Sequence, residues 1–198
     1  SVLQKSAGIM KRPLRILFIS REYPPETAFG GIATYTNAMA VALARRGHCI
    51  HVISCTSSET PGISMEDGVT VHRIPPGTYP IPGHRALYPA RRIARTVAPD
   101  TLVCAAWAAE VDREVRRLAR NGTDFDAIEY PECGAEGYYL SRIPNLPTVV
   151  RFHTPFSMVR RLNRMRQDID SALIARMERR TATRSQAATS PTRALASL

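Results

Sequence analysis

Residues Arg15–Ser54 read RILFISREYPPETAFGGIATYTNAMAVALARRGHCIHVIS, and this stretch decides the fold. Ile16-Leu17-Phe18-Ile19 is a short unbroken apolar run, the pattern of a strand covered on both faces. The polar segment Arg21–Phe29 carries Pro24-Pro25, which blocks continuation of helix or sheet and makes it a loop. Gly30-Gly31 then opens a helix whose predicted apolar stripe is Tyr35, Met39 and Leu43, one turn apart. Arg45 and Arg46 suit the negative end of that helix, and Gly47 is placed to supply a left-handed cap. Ile50, Val52 and Ile53 start a second strand. The unit is strand, helix, parallel strand, with a right-handed connection.

The two glycines carry the first chemical hint. The leading amides of a helix lack internal partners and hold partial positive charge, so they attract phosphate. Glycine lets a ligand approach that backbone, although a glycine pair also serves a tight turn with no ligand at all. Both readings stand on the sequence.

With 198 residues the chain suits one large domain, and 44% hydrophobic residues supply enough material for its core. The formal charge of +10 is carried almost wholly by arginine, since Lys5 and Lys11 are the only lysines. Nucleic acid, an anionic membrane surface and acidic substrates are the partners such a balance allows. A nucleic-acid module calls for clustered basic residues with stacking aromatics. Here the arginines are spread over several helices, as at Arg91, Arg113 and Arg160, which points to solvated helix faces. The four cysteines show no CxxC spacing, so neither a metal site nor a disulfide framework is predicted, and a reducing cytoplasm fits them. Residues 1–14 read as a flexible tail without the apolar segment of a signal peptide, and no apolar run is long enough to span a bilayer. The expectation is a cytoplasmic chain, free or at the inner face of the membrane.

Further along, Ser54–Gly68 reads as a loop and Val69–Ile74 as a third strand, polar enough to lie nearer an edge. Pro75–Gly83 is irregular, and a helix is predicted over Arg85–Val97, broken by Pro89 or starting near it. Thr101–Arg120 is a clearer helix with Trp107, Val111, Val115 and Leu118 buried and an Asp112–Arg116 ion pair outside. A strand over Phe125–Tyr130, a short helix over Ala135–Arg142 and a strand over Thr148–Phe152 follow. Asp168–Arg184 is a long helix with Ile169, Leu173 and Met177 on one face, Gln186–Thr189 a last short strand, and Ser190 begins another helix. This alternation implies an α/β three-layer domain with a mainly parallel sheet. Ligands bind outside the carboxyl ends of such strands, where Arg21–Gly31, Glu129–Glu132, His153–Pro155 and Ser190 would converge.

Three motifs resemble a known family. Gly30-Gly31 followed by Ala44-Arg45-Arg46-Gly47-His48-Cys49-Ile50-His51-Val52-Ile53 is similar to the GG…LARRGHEVTVI pattern of retaining GT-B glycosyltransferases of the family 4 type. Pro147–His153 resembles their PVVVTxH strand, and Glu178-Arg179-Arg180 with Gln186–Ser190 resembles their E-R…AD-x-V-I-x-x-S ending, with Ser185-Gln186 in place of Ala-Asp. The resemblance implies the amino-terminal, acceptor-side half of a two-domain, Rossmann-like GT-B architecture. The similarity covers nearly everything from Arg15 to Leu198, with the domain itself expected over residues 15–190 after a tail at 1–14, and 191–198 would begin the crossing toward an absent second domain. Gly30 and Gly31 would meet the donor diphosphate, and His153 would point at the reacting sugar or acceptor hydroxyl. Tyr35, Glu129, Glu132 and Thr154 would line the acceptor pocket, Ser190 would sit near the interdomain crossing, and Glu178 would be structural.

Such a transferase would take a nucleotide-sugar donor and a sugar or lipid-linked acceptor, with no cofactor and no metal. Its partners would be its own second domain and a peripheral membrane contact, not nucleic acid. Charge grows on phosphate as the bond to a nucleoside diphosphate breaks, and a helix amino terminus stabilises it. His153 either hydrogen-bonds the reacting partners or is merely a packed histidine at a strand end. A dinucleotide-dependent enzyme would need G-x-G-x-x-G directly after the first strand, and the longer loop with Pro24-Pro25 argues against it. A nucleotide- or sugar-binding regulatory module without transfer is the remaining alternative.

Overall fold

Leu17, Phe18 and Ile19 are all buried because β1 (Arg15–Ile19) is the central strand of a seven-stranded sheet. The structure, a computed structural model, describes residues 12–27, 30–77, 88–164 and 168–192. The sheet also contains β2 (Cys49–Cys55), β3 (Gly62–Glu66), β4 (Val69–Ile74), β5 (Ala127–Pro131), β6 (Thr148–Arg151) and β7 (Ala187–Thr189), in the order β3-β4-β2-β1-β5-β6-β7. Every pairing is parallel except the antiparallel β3–β4 edge. The helices are α1 (Gly31–Arg45), α2 (Tyr88–Val97), α3 (Pro99–Arg120), α4 (Phe156–Leu162) and α5 (Ile169–Arg184).

Alternate residues of each strand serve opposite faces. Phe18, Val52 and Val71 pack with Ala40 beneath α1, whereas Leu17, Ile53 and Ile128 pack with Trp107 and Val111 beneath α3. This three-layer α/β arrangement is the one expected from the alternation of elements. Gly47 takes φ 87° and its N–H closes on the Ala44 carbonyl at 2.9 Å, the left-handed stop foreseen for α1. Trp107, Val111, Val115 and Leu118 are buried on α3, and Asp112 accepts from Arg116 at 2.8 Å, as the spacing implied.

Several elements differ from their sequence reading. Within the expected loop Ser54–Gly68, Gly62–Glu66 is a strand, turned back onto β4 by Asp67 (φ 49°) and Gly68 (φ 81°). Two left-handed residues suit the right-handed twist of a two-residue hairpin. With β3 outside it, β4 is the second strand from the edge, nearer to it than β2 and β1 as its polarity implied. Its polar His72 and Arg73 tolerate burial because both are partnered, His72 with His51 at 2.9 Å and Arg73 with loop carbonyls. The buried stripe of α1 is Ala33, Thr36 and Ala40, not Tyr35, Met39 and Leu43, and Met39 is 36% exposed. Small side chains let this helix lie close on the sheet.

On α5 the buried face is Asp170, Ile174, Met177 and Glu178, while Ile169 and Leu173 are exposed. Two carboxylates turn the helix: Asp170 accepts the N–H groups of Asp100 and Thr101, both at 2.9 Å, and so caps α3. Instead of one helix over Ala135–Arg142 there are two 3₁₀ turns, Cys133–Ala135 and Leu140–Arg142, since Gly134 and Ala135 take positive φ. The strand predicted from Phe125 begins at Ala127, and α4 was not foreseen. Residues 12–14, read as tail, are held by Arg12–Asp126 and by the Leu14 N–H on His48 Nδ1 at 3.2 Å. Residues 1–11, Pro80–Leu87 and the helix expected beyond Thr192 lie outside the described residues.

Candidate active site

The described part of the loop between β1 and α1 is tied down by hydrogen bonds from several elements. Ser54 Oγ donates to the Arg21 carbonyl at 3.2 Å, and the Arg21 N–H donates to Glu136 at 3.0 Å. Buried Arg73 donates to the carbonyls of Tyr23 at 2.8 Å and Pro24 at 2.6 Å. Glu26 accepts from Thr56 Oγ1 at 2.6 Å and from the Ser57 N–H at 2.9 Å. This scaffold delivers Gly30 as an extended cap with no side-chain acceptor, and α1 carries no acidic residue in its first turn. Among the described residues nothing lies within 4 Å of where a side chain on Gly31 would start. The positive end of the helix is therefore open on the Gly31 side, while Glu22 Oε2 lies 3.1 Å from where a side chain on Gly30 would start.

One turn along α1, Tyr35 joins this end to the carboxyl rim of the sheet. Its hydroxyl donates to Glu129 of β5 at 3.0 Å, and its ring lies under the Arg151 guanidinium at 4.0 Å. The His153 ring meets it edge-on, with centroids 5.7 Å apart. A small, water-sized space of about 10 Å³ lies among Ile32, Tyr35, Glu129, Arg151 and His153. Burial, helped by the charge of Arg151, holds the His153 imidazole below its usual proton affinity, so it is neutral at pH 7. Burial likewise raises Glu129 above the usual carboxylate range, against the Tyr35 hydrogen bond and the Arg151 charge. Burial and the nearby Glu129 carboxylate push the Tyr35 phenol above its ordinary value.

Three glutamates around the turn after β5 hold the other walls. Glu132, 2% exposed, accepts the His153 N–H at 2.7 Å, and its own N–H donates to the Arg151 carbonyl at 3.1 Å. Glu178 accepts the N–H groups of Gly134 and Phe156, each at 2.9 Å, seating the start of α4. Glu136 accepts from the Arg21 backbone and from Trp107 Nε1 at 2.8 Å. Burial pushes both Glu136 and Glu178 up to about 7.

Of the sequence-predicted residues, Tyr35, Glu129 and His153 meet at one place, and Gly30 and Gly31 stand one turn away on the same helix. Glu132 sits beneath His153 rather than beside open space. Thr154 is half-buried directly after it, and Ser190 follows β7 with its hydroxyl on the Thr192 carbonyl at 2.8 Å. Arg151, Glu136 and Arg73 were assigned no role from sequence. Arg151 and His153 share an i, i+2 spacing, the one signal that could have placed both on one face. A larger groove of about 580 Å³ lies at the far edge between β3 and α3, but Arg113, Arg116 and Arg117 there are already paired with Glu110, Asp112 and Glu114.

Comparison with known proteins agrees with this geometry. Residues 30–198 match the family model described as a glycosyl transferase 4-like domain. The chain is 29% identical over 147 residues to a D-inositol 3-phosphate glycosyltransferase of Arthrobacter sp. (strain FB24), covering 71% of this chain and 32% of that protein. Its fold is similar to that of Phytolacca americana UGT2, both without ligand (TM-score 0.55, 14% identity, 91% of this chain and 46% of that one) and complexed with UDP-2fluoro-glucose and pterostilbene (TM-score 0.54, 14% identity, 92% and 49%). The chain thus spans about a third of that relative and about half of those structures. With residues 30–198 matched, most of its length, the chain belongs to the glycosyl transferase 4-like family.

Proposed function

We propose that this domain is the acceptor-side half of a retaining glycosyltransferase that moves a hexosyl unit from a nucleotide-sugar donor to an acceptor hydroxyl. The observation that carries the reading is the meeting of the α1 terminus, open at Gly31, and the His153 ring through Tyr35. The leaving diphosphate would take its growing charge to the free amides at Gly31, which calls for no metal. Neutral His153 would hydrogen-bond the reacting hydroxyl and hold it against the anomeric carbon. Because the transition state needs both walls of a cleft, the domain alone would not turn over. The test is transfer and donor hydrolysis by the full-length polypeptide and by this domain, over a panel of nucleotide sugars. Turnover by the former alone is expected. Donor binding without turnover by either would favour the alternative, a sugar-sensing module.

A second expectation concerns location. No described helix is long and apolar enough to cross a membrane. The ends of α2, α3, α4 and α5 meet around Asp100, Arg160 and Asp170 and expose Val97, Val103, Leu162 and Ile169 among the arginines 95, 161, 164 and 176. Apolar side chains within a basic rim match an anionic lipid surface, so peripheral contact at the cytoplasmic face is proposed.

A further inference from the structure

Arg151 stands out within the site because, among the described residues, no ion pair and no side-chain hydrogen bond engages it, and Glu129 feels its charge only through the field. Its guanidinium carbon lies 4.0 Å from the Tyr35 ring centroid, a cation–π contact that uses none of its N–H donors. Nε is buried and has no hydrogen-bond partner among the described residues, and no ion pair there involves this arginine. Glu129, the nearest acidic influence on the cluster, gives its Oε1 to the Tyr35 hydroxyl. The backbone around Arg151 is equally fixed, its carbonyl held by Glu132 and the N–H of the next residue bonded to the Thr189 carbonyl at 2.8 Å. At this position the family's strand pattern quoted above carries threonine, so the charge is an addition.

A planar fork held rigid and left unpaired is suited to bidentate recognition of an oxyanion. Tyr35 lies four residues beyond Gly31, about 6 Å along the helix axis. The site thus offers two positive poles, the helix end and the fork, with neutral His153 beside the second.

We infer that Arg151 binds an ionised phosphate or carboxylate carried by the acceptor, making the acceptor class an anionic polyol or sugar. This rests on the transferase reading, in which the donor diphosphate occupies the helix end. A neutral acceptor would leave the guanidinium facing only water, and an anion placed there sets the acceptor's hydroxyl relative to His153.

The test uses the full-length polypeptide and inorganic phosphate as probe, followed by NMR of the Tyr35 and His153 ring signals with UDP or ADP present at saturation. Expected are saturable shifts with wild type, affinity weaker by about tenfold or more in Arg151→Gln, and partial retention in Arg151→Lys, as loss of charge-assisted hydrogen bonds predicts. Thermal melts establish that both variants are folded, and Arg151→Lys carries the comparison if the glutamine variant is not. Equal phosphate affinity in wild type and variants, or no saturable shift, overturns the assignment. Displacement of phosphate by the nucleotide gives the fork to the donor and also overturns it. Phosphate binding through Arg151 in a protein that turns over no nucleotide sugar would leave the anion site standing and remove the transferase reading.

Discussion

Glu132 holds the backbone of His153 by a 2.7 Å hydrogen bond while lying almost wholly out of water itself. Its second oxygen is buried without a partner among the described residues, and burial raises its proton affinity. The ring of His153 is thereby placed through its main chain.

Removing that acceptor strands a buried N–H, which costs about 1–3 kcal/mol. Glu132→Ala is therefore expected to lower stability by that amount in urea melts and to reduce transfer by the full-length protein. Glu132→Gln keeps an acceptor oxygen and should recover most of the stability. Similar melts for both variants would contradict the tether.

His153→Ala removes the group proposed to face the reacting hydroxyl but no hydrogen bond of the core. Transfer should fall by about a hundredfold or more, the usual worth of a positioned hydrogen-bonding side chain. The melting temperature should hardly move. A variant with near-normal turnover would make His153 a packing residue only.

Gly31→Ala puts a methyl group into open space, so folding should be unaffected within about 0.5 kcal/mol. The same methyl stands at the mouth of the helix and should weaken donor binding by about tenfold in calorimetric titration of the full-length protein. Unchanged donor affinity would place the diphosphate elsewhere.

Arg73→Ala would leave two loop carbonyls, those of Tyr23 and Pro24, without their charged donor. A loss of about 2–4 kcal/mol is expected from these buried bonds. Amide exchange should quicken selectively over residues 21–27. A uniform change across the sheet would mean that Arg73 supports the hairpin edge rather than the loop.

The pH dependence of stability follows from opposed groups. Glu136 and Glu178 titrate near 7 when folded, against an ordinary 4.5, so the folded state holds their protons between those values and stability grows as pH falls through 7. His51 goes the other way. Burial first, then the neighbouring His72 and Arg15, lower it to about 4, so stability is lost as pH falls from 6.5 through 4. His153, lowered as His51 is, acts in the same sense as His51, whereas Glu129 and Glu132, raised by burial, act with Glu136 and Glu178. Four carboxyls against two imidazoles predict a more stable domain at pH 5.5 than at pH 7.5, by equilibrium urea unfolding. Glu136→Gln should flatten that slope and His51→Phe should steepen it; a slope untouched by Glu136→Gln would refute the account.

The sequence was most legible where a pattern repeats through the core. The apolar runs at Ile16–Ile19 and Val149-Val150 and the Trp107, Val111, Val115 spacing each mark elements that burial dictates. The Asp67-Gly68 hairpin was also written in the chain, but its strand points Ile63 and Met65 outward, 63% and 69% exposed, so alternation gave no inward face to recognise. On α1 and α5 the rotation was hidden because buried polar groups, Thr36, Asp170 and Glu178, set it. Within the site, His153 and the glycines were visible from local motifs. Arg151 over Tyr35 and Glu136 under Arg21 join residues more than a hundred positions apart, and only the closed sheet brings them together.

The short segment from Glu132 to Glu136 carries two of the three carboxyl tethers and receives the third at Gly134, while Gly137 lies so close to the Tyr130 ring that no larger side chain fits there. Insertion or deletion of a single residue between Pro131 and Leu140 would shift the β1–α1 loop, the histidine and the start of α4 at once. Length variation among relatives should therefore collect at the far edge of the sheet, around the β3–β4 hairpin, and spare this turn.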